Sequence, residues 1–156
     1  MKKRILVVDD DPQIRASLRK VLRAEGYEVV LAADGQQGIE RFNTERIDLL
    51  LLDLNMPVKS GWDTFERLTS LNPLLPIIII TGQRNQYELA AAAGVGALIE
   101  KPFDVPLLFQ TMKELLAEPP EAHLKRLAGL HSYVRYVHPP HTMQPSAKSR
   151  EQRNNP

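Results

Sequence analysis

Acidic residues stand at two points of the chain where an apolar segment ends. Asp9 and Asp10 directly follow the apolar residues 5–8, and Asp53 directly follows the apolar residues 49–52. A carboxylate at the end of a buried segment is costly unless a hydrogen bond or a cation compensates for it. Because the carboxyl ends of parallel strands meet at one edge of a sheet, we expect the three aspartates to form one acidic pocket.

Two further polar residues end apolar segments in the second half of the chain. Thr81 follows residues 76–80, and Lys101 comes shortly after residues 97–99. Three carboxylates at one edge repel one another unless a cation lies among them, and oxygen ligands with room for water suit Mg²⁺. A lysine ammonium suits the oxygens of a phosphoryl group, to which a threonine hydroxyl can donate. Together with a carboxylate nucleophile, these groups predict phosphoryl transfer to an aspartate.

Short apolar segments alternate with amphipathic segments, which is the pattern of a parallel α/β sheet. Strands are predicted at residues 5–8, 27–31, 47–52, 76–80 and 97–99. The isoleucine-rich fourth segment is typical of a central strand that is covered on both faces. Asp11 and Pro12 are typical of a helix N-terminus, as N-cap and first helical residue. Five such strand–helix units predict an open, doubly wound sheet.

The composition is that of a globular protein with one domain and a short remainder. The chain has 156 residues and a formal net charge of +1, which by itself argues for neither nucleic acid nor an anionic membrane as partner. It has no cysteine, so disulfides and thiolate metal sites are excluded. The apolar segment after the basic N-terminus is too short for a signal peptide, and no segment approaches a membrane span. We therefore expect a cytoplasmic protein.

The chain changes character at about residue 118. The main domain is predicted to cover residues 1–118, and residues 118–156 carry a formal charge of +3 from six basic and three acidic residues. An extra amphipathic helix is predicted within residues 119–138, from apolar residues at spacings of three and four: Leu124, Leu127, Leu130, Val134 and Val137. Residues 139–156 are predicted to be a disordered tail. This remainder is short and only slightly basic, so DNA binding through it is not expected.

Five motifs occur in one order along the main domain: Val7-Val8-Asp9-Asp10, Leu52-Asp53-Leu54-Asn55-Met56-Pro57, Gly61, Thr81-Gly82 and Lys101-Pro102-Phe103. In this order and spacing they resemble the receiver domain of two-component response regulators, a family that includes a chemotaxis regulator. The resemblance covers about residues 3–117. It implies an α/β fold of the flavodoxin-like type. This is a doubly wound, five-stranded parallel sheet of order 2-1-3-4-5 with helices on both faces, here followed by a C-terminal extension.

The resemblance also implies a chemical role for three residues of the pocket. Asp53 is expected to be the phosphoacceptor, which takes a phosphoryl group from a sensor histidine kinase or a phosphotransfer protein. Thr81 and Lys101 are expected to bind that phosphoryl group, and the bond between Lys101 and Pro102 is expected to be cis. Such a domain assists its own phosphorylation and dephosphorylation. We therefore expect no turnover of a separate substrate, and in that sense no enzyme.

A divalent cation completes the site that the resemblance implies. The expected cofactor is Mg²⁺, or Mn²⁺ in its place. Its expected ligands are Asp10, Asp53 and the backbone carbonyl of Asn55, with Asp9 acting through a water molecule.

One position departs from the family pattern. Three residues before the lysine the family usually carries Tyr or Phe, whose ring is coupled to the threonine when phosphate binds. This chain has Leu98 there. The signal to the expected output surface, around the fourth helix, fifth strand and fifth helix, then lacks its aromatic reporter. We expect a weaker or differently built switch.

Three kinds of function remain open. The first is a stand-alone receiver that acts by phosphorylation-dependent interaction with an unknown downstream protein or by phosphate relay, with a homodimer as a further possible assembly. The second is the receiver part of a truncated DNA-binding transcriptional regulator. The third is an aspartyl-phosphate hydrolase. Those enzymes usually carry a second acid two residues after the nucleophile, where this chain has Asn55.

Overall fold

The computed structural model describes residues 2–56, 60–129 and 135–137. The strands are β1 (Arg4–Val8), β2 (Glu28–Ala32), β3 (Leu49–Asp53), β4 (Ile77–Thr81), β5 (Ala97–Glu100) and β6 (Arg135–Val137). The helices are α1 (Pro12–Ala24), α2 (Gly35–Thr44), α3 (Gly61–Leu71), α4 (Tyr87–Ala93), α5 (Val105–Leu116) and α6 (Pro120–Leu127).

The strands pair in parallel in the order β2-β1-β3-β4-β5-β6. The first five follow the predicted order, so the doubly wound α/β fold is confirmed. Every residue of β3 and β4 is buried, because helices cover both faces of the sheet. Leu50 and Leu52 enter the core beneath α2, α3 and α4, whereas Leu49 and Leu51 enter the core beneath α1 and α5.

Side-chain caps explain where the chain turns from strand to helix. The Asp11 carboxylate accepts a hydrogen bond from the Gln13 backbone N–H at 2.8 Å, and Pro12 is the first residue of α1. The Asp34 carboxylate accepts from the Gln37 backbone N–H at 2.9 Å at the start of α2. Such caps satisfy N–H groups that have no partner within the helix. The predicted cap role of Asp11 is confirmed.

The C-terminal extension differs from the single helix predicted for residues 119–138. Helix α6 ends at Leu127, and residues 135–137 instead form β6, a sixth strand that lies parallel to β5. Leu124 and Leu127 remain 53% and 38% exposed. The apolar stripe of a longer helix would therefore gain little stability from burial. The β5 edge offers unpaired backbone groups, and pairing with them satisfies β6. Leu130, Val134 and the tail predicted at 139–156 lie outside the described residues.

Buried polar groups tie α6 to the segments that follow α3, α4 and α5. The Arg126 side chain is 4% exposed. Its Nε donates to the Gly94 carbonyl at 3.3 Å, and its Nη1 donates to Glu118 Oε2 at 2.8 Å. The His123 Nε2 donates to the Pro73 carbonyl at 3.0 Å. Burial lowers the pKa of His123, which keeps the ring neutral and leaves Nδ1 free to accept from Arg126.

None of the helices in the described part of the chain is long and apolar enough to cross a membrane.

Candidate functional site

Three carboxylates meet at the carboxyl edge of the sheet. Asp9 follows β1 and Asp53 ends β3, and these neighbouring strands leave the two side chains 3% and 4% exposed. Asp10 lies beside them and is exposed. One carboxylate oxygen from each of the three residues lies within 4.8 Å of the others. The predicted acidic pocket is therefore present.

The Lys101 ammonium lies between the two buried carboxylates. Its Nζ is 3.3 Å from Asp9 Oδ2 and 3.5 Å from Asp53 Oδ2. One positive charge faces three negative ones when Asp10 is included, so the pocket has an excess of negative charge. That excess, at an edge open to solvent through Asp10, suits a hard cation with oxygen ligands.

Backbone N–H groups orient the two buried carboxylates. Asp53 Oδ1 accepts from the Asn55 N–H at 3.1 Å, and Asp9 Oδ1 accepts from the Asp11 N–H at 2.9 Å. The other oxygen of each carboxylate is the one that faces Lys101. Asn55 itself is exposed at the same edge. The loops after β1 and β3 thus fix the carboxylates before any ligand arrives.

Thr81 ends β4, Lys101 directly follows the neighbouring strand β5, and the two residues are joined through the backbone. The Lys101 N–H donates to the Thr81 carbonyl at 2.8 Å. The Thr81 side chain is fully buried, and its Oγ1 accepts from the Gln83 N–H at 2.9 Å. The Lys101–Pro102 peptide bond is cis, as predicted. Both side chains that were predicted to contact a phosphoryl group lie at the carboxyl edge, and Leu98 lies fully buried within β5.

One contact of the pocket, made by Arg15, was not predicted from the sequence. The Arg15 Nη1 donates to the Asp9 backbone carbonyl at 2.7 Å. Arg15 lies four residues after the cap Asp11, one turn into α1, so its side chain can reach back over the first turn of the helix. That spacing was the available signal, and the contact ties α1 to the loop that carries Asp9 and Asp10.

Burial raises the pKa of the Asp53 carboxyl above its ordinary value. The Asp9 and Asp10 carboxylates raise the pKa further, whereas the Asn55 N–H and the Lys101 ammonium lower it. The ionised form of Asp53 is therefore disfavoured in the pocket without a cation. A bound cation would reverse this balance.

This pKa shift predicts a pH-dependent effect of Asp53→Asn on stability. A raised pKa means that the folded protein holds the Asp53 proton more tightly than the unfolded chain does. Asp53 then costs stability as pH rises from its ordinary pKa through the raised one. In the presence of a metal chelator, the variant is expected to have the higher free energy of unfolding at neutral pH. The difference is expected to shrink below about pH 4, near the ordinary pKa of an aspartate.

Urea unfolding across a pH series measures this difference. The exposed Asp63 offers a matched control, since Asp63→Asn removes the same charge from the first turn of α3. A neutral-pH free energy of unfolding that is lower for Asp53→Asn than for the wild-type chain would contradict the prediction.

The model of the response regulator receiver domain matches residues 5–113. The chain belongs to this family. The acidic pocket of Asp9, Asp10 and Asp53 is accordingly the phosphoacceptor pocket of a receiver domain. The predicted family membership and fold are confirmed.

Curated relatives of this receiver domain include response regulators named MprA. The chain is 40% identical over 118 residues to the protein from Mycobacterium ulcerans and 38% identical over 118 residues to that from Mycobacterium tuberculosis. In both cases the match covers 74% of this chain and 51% of the relative. The chain therefore spans about half the length of the curated relatives that it matches.

Solved structures show the same fold. A CheY-like receiver domain protein from Methanospirillum hungatei is 33% identical with a TM-score of 0.71, and the match covers 80% of this chain and 98% of that one. The response regulator TrrA from Thermotoga maritima, solved in complex with Mg²⁺-BeF, is 32% identical with a TM-score of 0.68. That match covers 72% of this chain and 98% of that one.

Proposed function

We propose that this receiver domain accepts a phosphoryl group on Asp53 from a histidine kinase or a phosphotransfer protein. The observation that carries the proposal is the position of Asp53. Its carboxylate is buried at the strand end, oriented by the Asn55 N–H and 3.5 Å from the Lys101 ammonium. A cytoplasmic site of action belongs to the same proposal.

The residues of the pocket fit a divalent metal ion. Asp10 and Asp53 each offer a carboxylate oxygen, and Asp9 lies close enough to act directly or through water. We propose Mg²⁺ as the natural ion, because the ligands are oxygens and the TrrA structure holds Mg²⁺-BeF. Mn²⁺ accepts similar oxygen ligands and is the alternative. When bound, the ion supplies positive charge for the incoming phosphoryl oxygens.

Each residue of the pocket has a separate part in the transfer. The Asp53 carboxylate oxygen attacks phosphorus as the bond from phosphorus to the donor nitrogen breaks. The Lys101 ammonium then leaves the carboxylate that has become an acyl phosphate and pairs with phosphoryl oxygens. The Thr81 hydroxyl, whose oxygen accepts from Gln83, keeps its hydrogen available for a phosphoryl oxygen. Catalysis by this pocket consists of positioning and charge compensation.

Incubation of the purified chain with acetyl phosphate and Mg²⁺ tests the proposal. Intact-mass spectrometry is expected to show the gain of one phosphoryl group, and chelation of the metal is expected to suppress it. Peptide mapping is expected to place the group on Asp53. A gain of mass that is unaffected by chelation, or that maps to another residue, would refute the proposed chemistry.

Asp10→Asn is expected to weaken Mg²⁺ binding. The change removes one of three negative charges around the ion, and we expect the affinity to fall by about tenfold. Isothermal titration calorimetry measures the change. Asp11→Asn is the matched control, since Asp11 caps α1 and asparagine is an equally good N-cap. Equal losses in the two variants would mean that general acidity, and not the Asp10 ligand, controls the affinity.

The output of the domain has two candidate forms. In the first form, the phosphorylated domain binds a downstream protein and needs no further region of its own chain. The length of the MprA relatives, twice the matched part, favours a second form in which the receiver domain controls a further region of a longer protein, such as a DNA-binding one. A gene that continues past the last codon of this sequence into an effector region would support the second form. Size-exclusion chromatography before and after phosphorylation tests for a homodimer.

A further inference from the structure

The edge of the sheet at β5 is covered by a segment of the chain's own C-terminal extension. Residues 135–137 form β6, and Arg135, Tyr136 and Val137 lie opposite Ala97, Leu98 and Ile99 in the parallel register. Because side chains alternate along a strand, Tyr136 shares a face of the sheet with Leu98 and Glu100. This is the face covered by α4, where Tyr136 packs against the core that contains Leu98.

Tyr136 is tied to the end of β5 that leads into the pocket. Its hydroxyl donates to the Glu100 carboxylate. Burial, together with this bond, raises the pKa of Tyr136 to about 12, so the hydroxyl keeps its proton. The Tyr136 ring also meets the Tyr87 ring of α4 edge-on, with centroids 5.3 Å apart. Tyr136 thus places an aromatic ring beside Leu98, the position at which the family usually carries one.

Arg135 attaches the same strand to the opposite face. Its Nε donates to Glu114 Oε2 of α5 at 2.8 Å, and its Nη1 lies 3.5 Å from Glu118 Oε2. Glu118 in turn pairs with the buried Arg126 of α6. Polar contacts from two adjacent residues of β6 therefore reach β5, α5 and the anchor of α6, and the Tyr136 ring contacts α4.

Only one peptide bond separates the Tyr136 contact from the phosphoryl-binding lysine. Glu100 directly precedes Lys101 and lies opposite Thr81 in the register of β4 and β5, and the Lys101 N–H donates to the Thr81 carbonyl. A phosphoryl group on Asp53 would draw the Lys101 ammonium and the Thr81 hydroxyl toward its oxygens. A displacement of the β5 end by this attraction would also displace the Glu100 carboxylate, to which Tyr136 donates.

We propose that β6 is a latch whose docking on β5 opposes phosphorylation of the pocket, and that phosphorylation releases it. The latch, defined as residues 135–137, rests on the proposed function, because it regulates the same site. This coupling is reciprocal. The free energy by which phosphorylation weakens latch docking equals the free energy by which latch docking weakens phosphorylation. Weakening the latch should therefore make the pocket bind a phosphoryl mimic more tightly.

Hydrogen–deuterium exchange of the full chain tests the release. Exchange is measured on peptides covering β5 and β6, with Mg²⁺ alone and with Mg²⁺ and beryllofluoride. We expect beryllofluoride to accelerate amide exchange in both strands by about fivefold or more. Unchanged or slower exchange in these strands, at a beryllofluoride concentration that calorimetry shows to be saturating, would overturn the latch while leaving the proposed function intact.

Tyr136→Phe tests the reciprocal effect. It removes the hydroxyl that donates to Glu100 and keeps the ring that packs on Tyr87. Without beryllofluoride, exchange in β5 and β6 is expected to rise, and beryllofluoride affinity is expected to increase by about threefold. Tyr27→Phe, which removes a phenol hydroxyl just before β2 at the opposite edge, is expected to change neither. A Tyr136→Phe variant with wild-type affinity would overturn the coupling, and a chain that binds no beryllofluoride would overturn the proposed function together with it.

Discussion

Asp53→Asn is expected to abolish phosphoryl incorporation from acetyl phosphate. The amide lacks the anionic oxygen that attacks phosphorus, and no other carboxylate of the pocket has the same surroundings. Asp10 is exposed, and Asp9 follows β1, which β3 separates from β4 and its terminal Thr81. Without the nucleophile, only the uncatalysed reaction remains. The rate of phosphoryl incorporation is therefore expected to fall on the order of 10⁶-fold. Intact-mass spectrometry over time measures it.

The fold of this variant is expected to remain intact, which separates loss of chemistry from loss of structure. The amide oxygen of the introduced asparagine can accept from the Asn55 N–H, as the Asp53 carboxylate does at 3.1 Å. The substitution also removes a charge whose burial is costly. Circular dichroism and urea unfolding are expected to show a protein at least as stable as the wild-type chain. A phosphoryl gain in Asp53→Asn equal to that of Asp63→Asn would contradict the assignment of the phosphoacceptor.

Gly61→Ala is expected to destabilise the domain strongly. An added Cβ at Gly61 would lie 2.3 Å from Leu54 Cα and 2.8 Å from the Asp53 carbonyl oxygen. Both atoms belong to the backbone and cannot rotate away. The start of α3 would have to move from the end of β3 and break the hydrogen bond from Gly61 N–H to the Leu54 carbonyl. We expect the free energy of unfolding to fall by about 3 kcal/mol, measured by urea denaturation.

Gly82→Ala is the matched control for this effect. Gly82 lies at the same edge of the sheet, directly after Thr81, and an added Cβ there meets no atom within 4 Å. The free energy of unfolding is expected to change by less than about 1 kcal/mol. If the two variants lost equal stability, the cause would be the chemistry of alanine in these loops and not the close approach of α3 to β3.

The acidic pocket could be predicted because its residues mark the ends of strands. An apolar run specifies a buried parallel strand, and parallel topology places the following residues at one edge, so Asp9 and Asp53 meet without any further information. The caps of α1 and α2 were predictable for a similar local reason. Asp11 and Asp34 compete for backbone N–H groups only a few residues away.

The sixth strand could not be predicted because nothing local specifies it. Residues 135–137 form too short a segment for a periodicity to be read, and their partners lie far away in sequence, at Ala97–Ile99 and at Glu114. The spacing of Leu124 and Leu127 continued by chance into Val137, which suggested one longer helix. Residues 135–137 form a strand because they pair with the unpaired backbone groups of β5. Those groups are in place only once the sheet has formed. The position of the Tyr136 ring opposite Leu98 was hidden for the same reason.

The covered β5 edge also bears on how this protein avoids aggregation. A parallel sheet that stopped at β5 would present the unpaired backbone of an apolar strand, Ala97-Leu98-Ile99, to any other extended chain. The short strand β6 covers this edge. Its Arg135 and Tyr136 side chains make polar contacts, with Glu114 of α5 and with Glu100. A shortened chain that kept every motif of the phosphoryl site and ended near residue 117 would lose this protection.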